Sequence, residues 1–496
     1  MNLTSLEEKL ADYGSGGYYL LESFLLQLLK LEADSHNQSL HLEDRSSHSR
    51  FDAFAPQGLG GIAGPLAIEI VQVLSPKRLE AEIHRHESQK SSGDEKLLII
   101  SFRQMSKDSK YMQILSERSE GQVYFWGSLE VQDLLDKHHE AATALSEKMF
   151  SIRFQRAISN NPEDWKKKRT EILKEVGDYY RAGRFSMFLG AGVSSSAGLP
   201  DWDTLLNSLF VSMLTDGGLD ERKADKDQVA SIVKRLRQVD GPSALMLARY
   251  IRKGVSASSG LEHNKFITSV TEQLYGLRDQ RFSLSSPLIK AIASLCAPSR
   301  TGAKVRSVLT YNFDDLIERE LEARGLAFKS IFEEIDLAGP EDLPVYHVHG
   351  FLPEDRLKHP NIDKSTLVFS EEGYHRIYGE AYHWSNLIQL NSLKETACLM
   401  VGLSLTDPNL RRLLEISAKS IDKPKHYAFL KRVSYDSFSM EQGKTIVRAP
   451  RSVIRTFLDR HHSLNEEIMK ELGVNIIWYE EYDEIPRLLN EMGKCI

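Results

Sequence analysis

The chain has 496 residues, of which 41% are hydrophobic and 27% charged, and its net charge is −7. This length predicts two or three domains, and the acidic balance excludes a globally basic surface for nucleic acid. The three cysteines, Cys296, Cys398 and Cys495, are too few for a disulfide framework or a four-cysteine zinc site, so no zinc is expected. No leader peptide opens the sequence and no apolar run reaches the ~20 residues that span a bilayer. We therefore expect a cytoplasmic protein without membrane contact.

Residues 1–150 predict a small α/β domain. An amphipathic helix opens it, with an apolar face formed by Leu20, Leu21, Phe24, Leu25 and Leu28. Strand-like runs follow in the order PLAIEIVQVL, KLLIISF and GQVYFWGSL, and the domain closes with a helix over LEVQDLLDKHHEAATALSEKM. The apolar face of the first helix either packs within this domain or forms an interface between copies of the chain.

Residues 151–180 are charged and helical in pattern, which predicts a connector. From residue 181 to residue 496, short apolar runs alternate with helical segments: FSMFLG, VRSVLTYN, VYHVHG, TLVFS, ACLMVGLSL, HYAFLKR and NIIWYE. This alternation is typical of a parallel sheet with helices on both faces. A largely helical insertion is expected over about 204–300. Because ligands of such sheets bind at the carboxyl ends of the strands, the residues that follow each strand carry the functional argument.

A glycine-rich turn follows the first strand of the larger domain. The residues singled out in it are Gly190, Ala191, Gly192, Ser194, Gly198 and Asp201. Glycines let a backbone approach a pyrophosphate closely, and the N–H groups at a helix start attract an anion. The alternative is a turn that only tightens a strand–helix corner. The spacing differs from G-x-G-x-x-G, so the turn by itself leaves both interpretations open.

Polar residues follow two further strands. Thr310, Asn312 and Asp314 alternate after VRSVLT, so they either enter a cleft or cap the next helix. The other strand end carries Gly402, Ser404 and Asp407, of which Asp407 stands where it can cap a helix that starts at Pro408.

Two histidines, His347 and His349, lie two positions apart on a predicted strand. Such a pair invites a metal interpretation, but no acidic or cysteine ligand with matching spacing accompanies it, so no metal is expected. Gly350 leaves room for a ligand against His349. A histidine whose pKa lies near neutrality suits a general base.

These four strand ends, in this order, resemble the sirtuin family. The turn Gly190–Asp201 is similar to its first NAD-binding motif, Thr310–Asp314 to its T-x-N-x-D motif, His349-Gly350 to its catalytic His-Gly pair, and Gly402–Ser404 to its Gly-x-Ser. The resemblance implies a Rossmann-like parallel sheet with NAD as substrate. It also implies that Asn312, His349 and Asp314 are catalytic, while the glycine turn, Thr310, Gly402, Ser404 and Asp407 bind NAD.

The departures from the family narrow the expected activity. The paired cysteines of a zinc ribbon are absent, and Asp203 stands where an arginine usually follows. With TDPNL, these features resemble the bacterial anti-phage branch of sirtuin-like proteins, which implies an NAD+ hydrolase that depletes cellular NAD. The alternatives are an NAD-dependent protein deacylase, a non-catalytic NAD or ADP-ribose sensor, and a nuclease regulated by NAD. A homo-oligomer and a hexameric DNA-translocating ATPase of the HerA type are the partners that the resemblance implies.

The N-terminal domain loosely resembles the restriction-endonuclease-like core. Asp52 and Glu69 stand 17 positions apart, as the acidic pair of that core can, but Val71 occupies the position of its lysine. A valine cannot polarise water, so we expect a degenerate copy that serves assembly or DNA contact, or a plain α/β scaffold. DNA cleavage is not expected.

Overall fold

The computed structural model describes all residues except 1, 12, 14, 43–50, 73, 91, 103–109, 112–113, 115–120, 160–164, 217–230, 232–234, 236–243, 258–261, 360–361, 363–364, 366, 381, 420, 422, 442–443 and 495–496. Cys495 and parts of the predicted insertion and connector therefore lie outside the described residues. Cys296 and Cys398 are buried free thiols. Within the described residues, no helix is long and apolar enough to cross a membrane.

A five-stranded sheet forms the core of the N-terminal region. Its strands are β1 (His41–Leu42), β2 (Ala53–Ala55), β5 (Leu66–Val71), β6 (Lys96–Ser101) and β7 (Val123–Trp126), in that spatial order. The pairs β1–β2 and β2–β5 are antiparallel, whereas β5–β6 and β6–β7 are parallel. A small hairpin joins β3 (Gly58–Leu59) to β4 (Ile62–Ala63). The three predicted strands correspond to β5, β6 and β7, so the expectation of a smaller preceding α/β region is confirmed.

The larger sheet has seven strands. They are β8 (Phe185–Leu189), β9 (Val305–Thr310), β10 (Phe328–Ile331), β11 (Leu343–His347), β12 (Ala397–Val401), β13 (His426–Lys431) and β16 (Val474–Tyr479). Their spatial order is β10-β11-β9-β8-β12-β13-β16, and the pairings from β10 to β13 are parallel. This confirms the predicted Rossmann-like parallel sheet. A separate hairpin pairs β14 (Met440–Glu441) with β15 (Lys444–Thr445).

The helices of the described chain are Leu3–Ala11, Ser15–Ser35, Pro76–Gln89, Ser128–Lys137, His139–Glu147, Met149–Ser159, Trp165–Arg181, Ala191–Ser195, Trp202–Asp216, Ala244–Ala257, Glu262–Gly276, Pro287–Cys296, Leu316–Ala323, Glu371–Gly379, Trp384–Glu395, Pro408–Ala418, Tyr435–Ser439, Arg451–Glu471 and Glu484–Lys494, with a short 3₁₀ turn at Arg356–Lys358. Four of them lie between β8 and β9 after the glycine turn, as expected for the helical insertion.

Contacts divide the chain into two compact units. One consists of Met1–Glu175, Leu414–Lys425 and Arg432–Trp478, and the other of Val176–Leu413, His426–Lys431 and Tyr479–Ile496. The boundaries at residues 150 and 181, expected from sequence, remain a prediction.

Three local predictions differ from the structure. The helix Ser15–Ser35 is buried on nearly all sides, because Tyr18, Leu26 and Leu29 join its apolar face in the core of the first unit. The helix predicted after β7 is two helices, which meet at His138. The run TLVFS forms no strand at 367–370; its Phe369 ring packs against Trp202 and Phe266 instead.

Candidate active site

Four strands of the larger sheet end in register. Leu189, the last residue of β8, is opposite Thr310 of β9 and Val401 of β12. Thr310 is in turn opposite His347, the last residue of β11. The segments that follow these four residues therefore leave the sheet at one edge, where parallel α/β sheets bind ligands. Residues far apart in the chain meet there, as the motifs predicted.

The glycine turn packs tightly against the segment that follows β12. A Cβ on Gly190 would lie 2.6 Å from the carbonyl oxygen of Gly402, and a Cβ on Gly192 would lie 2.8 Å from Gly402 Cα. The N–H groups of Gly190 and Gly192 already donate to the carbonyls of Val401 (2.9 Å) and Gly402 (3.0 Å). Close packing therefore explains why glycine occupies both positions. Any phosphate contact must use the space left by the missing side chains and N–H groups of the turn other than those of Gly190 and Gly192. The helix that follows, Ala191–Ser195, is only five residues long.

Ser194 connects the turn to the segment after β9. Its hydroxyl donates to Asp314 Oδ2 (2.5 Å) and accepts from Asn312 Nδ2 (2.7 Å), which also donates to the carbonyl of Gly190 (3.0 Å). Both amide hydrogens of Asn312 are thus engaged, and its Oδ1 carries the remaining hydrogen-bonding capacity of the side chain. The structure therefore brings Gly190, Ser194, Asn312 and Asp314 into one network.

Asp314 bonds both the start of the next helix and the glycine turn. Its Oδ1 accepts from the N–H of Leu316 at the start of the next helix (3.2 Å), while Oδ2 bonds Ser194. Burial raises the pKa of Asp314 from 3.8 to about 6, and the bonds from Ser194 and Leu316 oppose that shift. Thr310 is buried, and its hydroxyl oxygen accepts from the N–H of Asn312 (3.1 Å). Thr310 thus shapes the loop that carries Asn312.

His349 is buried and lies among aromatic rings. Its ring contacts those of Tyr311 and Tyr374 edge-on, with centroid distances of 4.6 and 5.8 Å. Nε2 is a buried nitrogen without a hydrogen-bond partner, and Asp407 Oδ2 lies 3.7 Å from it. Burial lowers the pKa of His349, although the Asp407 charge opposes that shift. The ring is therefore neutral at neutral pH, which is the form that a general base requires.

His347 has a different environment from His349. Strand β11 ends at His347, whose Nε2 lies 2.6 Å from Glu318 Oε1 and whose ring packs on Phe351 at 4.0 Å. Both His347 and Glu318 are buried, so this pair belongs to the interior. Across the described ranges, no group of three or more His, Cys, Asp or Glu side chains is arranged to hold a metal ion.

Three predicted binding residues remain, and their contacts differ. Ser404 is exposed, and its hydroxyl bonds that of Thr406 (2.7 Å). Asp201 caps the helix Trp202–Asp216 through the N–H of Thr204 (2.8 Å). Gly198 has φ +88° and packs against Asp279. The contacts of Asp201 and Gly198 are structural, and their assignment to NAD binding, like that of Ser404, remains a prediction.

Tyr374 belongs to this region but has no motif in the sequence. It lies on the helix Glu371–Gly379, and its hydroxyl donates to Asp407 Oδ2 (2.5 Å). The other oxygen of Asp407 accepts from the N–H of Leu410 (2.7 Å), so the predicted cap is present. Nothing in the composition of that helix marks Tyr374, because only tertiary packing brings it to Asp407.

The two N-terminal carboxylates have partners within the protein. Asp52 Oδ2 accepts from the N–H of Ile70 (2.7 Å), and Glu69 pairs with Arg85 (2.9 Å) and Lys423 (2.6 Å). Glu69 is fully buried and the Lys423 side chain is 3% exposed. A lysine therefore does stand beside Glu69, but it comes from a distant part of the chain and has no access to a DNA phosphate.

Comparison with known proteins supports the sirtuin-like interpretation. Residues 306–447, which include all of β9 except its first residue and the strands β10 to β13, match the model of the SIR2-like domain. The chain is also 22% identical over 338 residues to the NAD(+) hydrolase ThsA of Enterococcus faecium. That match covers 65% of this chain and 58% of the length of the relative. These similarities confirm the predicted resemblance, whereas the SIR2-like match lies outside the N-terminal domain, whose endonuclease-like resemblance stays a prediction.

Proposed function

We propose that this chain is an NAD+ glycohydrolase, which cleaves NAD to nicotinamide and ADP-ribose. The observation that carries the proposal is the hydrogen-bonded network of Asn312, Ser194 and Asp314, together with buried His349, at the aligned ends of four parallel strands. The similarity to a protein named as an NAD(+) hydrolase supports the same chemistry.

The reaction replaces one bond at the anomeric carbon with another. The bond from that carbon to the nicotinamide nitrogen breaks through an oxocarbenium-like state, and nicotinamide leaves with the electron pair. Water then forms the new carbon–oxygen bond. Asn312 would orient the ribose or the water through Oδ1, since its Nδ2 is held by Gly190 and Ser194. His349 would take the proton that the water or a ribose hydroxyl loses, and Asp314 would hold the Asn312 loop.

The same edge would bind the rest of the substrate. Gly190, Ala191, Gly192 and Ser194 would surround the phosphates, and Gly402 and Ser404 would contact the adenosine ribose. Thr310 and Asp407 would support the loops that carry these contacts. NAD is a substrate in this scheme, and none of the steps needs a metal ion.

The biological role that fits such an activity is anti-phage defence by depletion of NAD in an infected cell. An enzyme of this kind must be restrained in uninfected cells. Self-association or a hexameric DNA-translocating ATPase of the HerA type would supply that restraint, and this part of the proposal rests on analogy with sirtuin-like defence proteins.

The test is incubation of the purified full chain with NAD, with nicotinamide and ADP-ribose separated by chromatography. His349→Ala and Asn312→Ala should each lose ~10²–10⁴-fold in rate with unchanged circular dichroism. His461→Ala, which changes an exposed histidine of the helix Arg451–Glu471, is the matched control.

A parallel incubation with NAD and an acetylated peptide separates the rival activities. A deacylase would release nicotinamide only when the peptide is present. A sensor would bind NAD without cleaving it. Either result, or near-normal turnover by His349→Ala, would overturn the proposal.

A further inference from the structure

Two hydrogen bonds hold Asp407, and His349 lies close to the same carboxylate. Its Oδ1 accepts from the N–H of Leu410, and its Oδ2 accepts from the hydroxyl of Tyr374 at 2.5 Å. The same Oδ2 lies 3.7 Å from His349 Nε2. The helix cap and the tyrosine together fix the carboxylate in one orientation, with one oxygen turned towards the histidine. Asp407 is therefore more than a helix cap.

Three titratable groups face His349, each from a different segment. Tyr311 follows β9, Tyr374 lies on the helix Glu371–Gly379, and Asp407 precedes the helix Pro408–Ala418. Burial raises the pKa of both tyrosine hydroxyls, so they stay protonated near neutral pH. Asp407 is thus the negative charge among these three groups.

The position of Asp407 distinguishes the two ring nitrogens of His349. A carboxylate beside Nε2 favours the tautomer that carries its proton there, and that tautomer leaves Nδ1 as the acceptor. When the ring takes a second proton, the imidazolium has an N–H directed at Asp407. A closure of about 1 Å from the present separation would give a charge-assisted hydrogen bond of ~2.7–2.9 Å.

We propose that Asp407 is the positioning residue for His349, that it keeps the proton of the neutral ring on Nε2, and that Tyr374 holds Asp407 in place for this task. A proton lost by water or by a ribose hydroxyl then moves to Nδ1, and Asp407 stabilises the cation until solvent removes that proton. The inference rests on the proposed NAD cleavage for its catalytic consequence. The geometry and tautomer that it describes concern the free protein.

The decisive variant is Asp407→Asn. Asparagine is as good a helix cap as aspartate and nearly the same size, so the change removes the charge and keeps the fold. The rate of NAD cleavage should fall on the order of 10²–10⁴-fold, mainly in kcat, as when an orienting carboxylate is lost from a catalytic histidine. The apparent pKa of the base in the pH–rate profile should move further down, because the negative charge that favours the imidazolium is gone.

Tyr374→Phe is the second variant, and Tyr378→Phe is its matched control. Tyr378 lies on the same helix with its ring 6.1 Å from that of Tyr374. Loss of the Tyr374 hydroxyl should lower kcat on the order of tenfold, corresponding to one hydrogen bond to a charged group. The Tyr378 change should leave kcat within a factor of about two.

Ring ¹⁵N chemical shifts test the tautomer independently of activity. The wild-type His349 signals, assigned by comparison with His349→Gln, should show the proton on Nε2, and Asp407→Asn should weaken that preference. An unchanged tautomer together with full turnover in Asp407→Asn would overturn the inference. If instead His349→Ala cleaves NAD normally, the proposed function fails, and that result is distinguishable from the first.

Discussion

Replacing Asp314 with asparagine should change how the stability of this protein depends on pH. Burial raises the pKa of Asp314 from 3.8 to about 6 in the folded chain. The folded state therefore binds the proton more tightly than the unfolded state does, so stability falls as pH rises from 3.8 towards 6 and the loss is complete above that range. The shift of about 2 pH units, at 1.36 kcal/mol each, corresponds to ~3 kcal/mol.

Asparagine does not titrate, so Asp314→Asn removes the fall in stability that occurs between pH 3.8 and about 6. At about pH 4, where Asp314 of the folded wild type is protonated, the variant should be less stable by ~1 kcal/mol, since its amide N–H is a weaker donor to Ser194 than the carboxyl O–H that it replaces. At about pH 7.5 the order should reverse, with the variant more stable by roughly 2 kcal/mol. Urea unfolding of both proteins over this range measures the difference, in which the titrations of all other groups cancel.

The neighbouring Asp315 supplies the control. Its carboxylate pairs with Arg319 at 2.9 Å, so Asp315→Asn should lower stability near neutral pH instead of raising it. If the free energies of unfolding of wild type and Asp314→Asn changed with pH by the same amount, the reasoning would be refuted. That result would show that burial does not set the protonation of Asp314.

Further changes test the packing and the metal assignments. Gly192→Ala should lower the free energy of unfolding by ~1–3 kcal/mol and remove most NAD turnover, because its Cβ would lie 2.8 Å from Gly402 Cα. Gly276→Ala is the control: its Cβ would meet nothing within 4 Å, so stability and turnover should stay unchanged. NAD cleavage should survive EDTA; strong inhibition that zinc or magnesium reverses would contradict the expected absence of metal. The full chain with Mg²⁺ should leave DNA uncut in a plasmid assay, since Glu69 is buried. Lys423→Met should lower the free energy of unfolding by up to ~3–5 kcal/mol, because it leaves the buried Glu69 without one of its cations. An unchanged free energy of unfolding would show that the Lys423–Glu69 pair does not stabilise the N-terminal sheet.

The strand ends were predictable because each is marked locally. An apolar run that stops at a glycine or a small polar residue identifies β8, β9 and β12 without any tertiary information. Register then follows from the parallel pairing, and this is why Asn312 and Ser194 meet although they are 118 positions apart.

Features that depend on distant packing were not predictable. The run TLVFS has the composition of a strand but does not form one, because Phe369 packs in an aromatic cluster with Trp202 and Phe266. The edge strand Phe328–Ile331 escaped notice because its short run FKSI is half polar. One of the two cations beside Glu69 is Lys423, which is more than 350 positions away, and no spacing rule reaches that far.

The in-register strand ends also govern how this site tolerates change in the rest of the chain. Between Leu189 and Val305 the polypeptide makes a long helical excursion, yet it returns to pair beside β8. The excursion also contacts the loops of the site, because Asp279 packs against Gly198 of the glycine turn and the hydroxyl of Tyr275 donates to Asp315 after β9 (3.1 Å). Grafting, shortening or replacing the excursion must therefore preserve these contacts as well as the register of β8 and β9. Comparisons of this chain with its relatives should therefore superpose the strand termini together with these contacts.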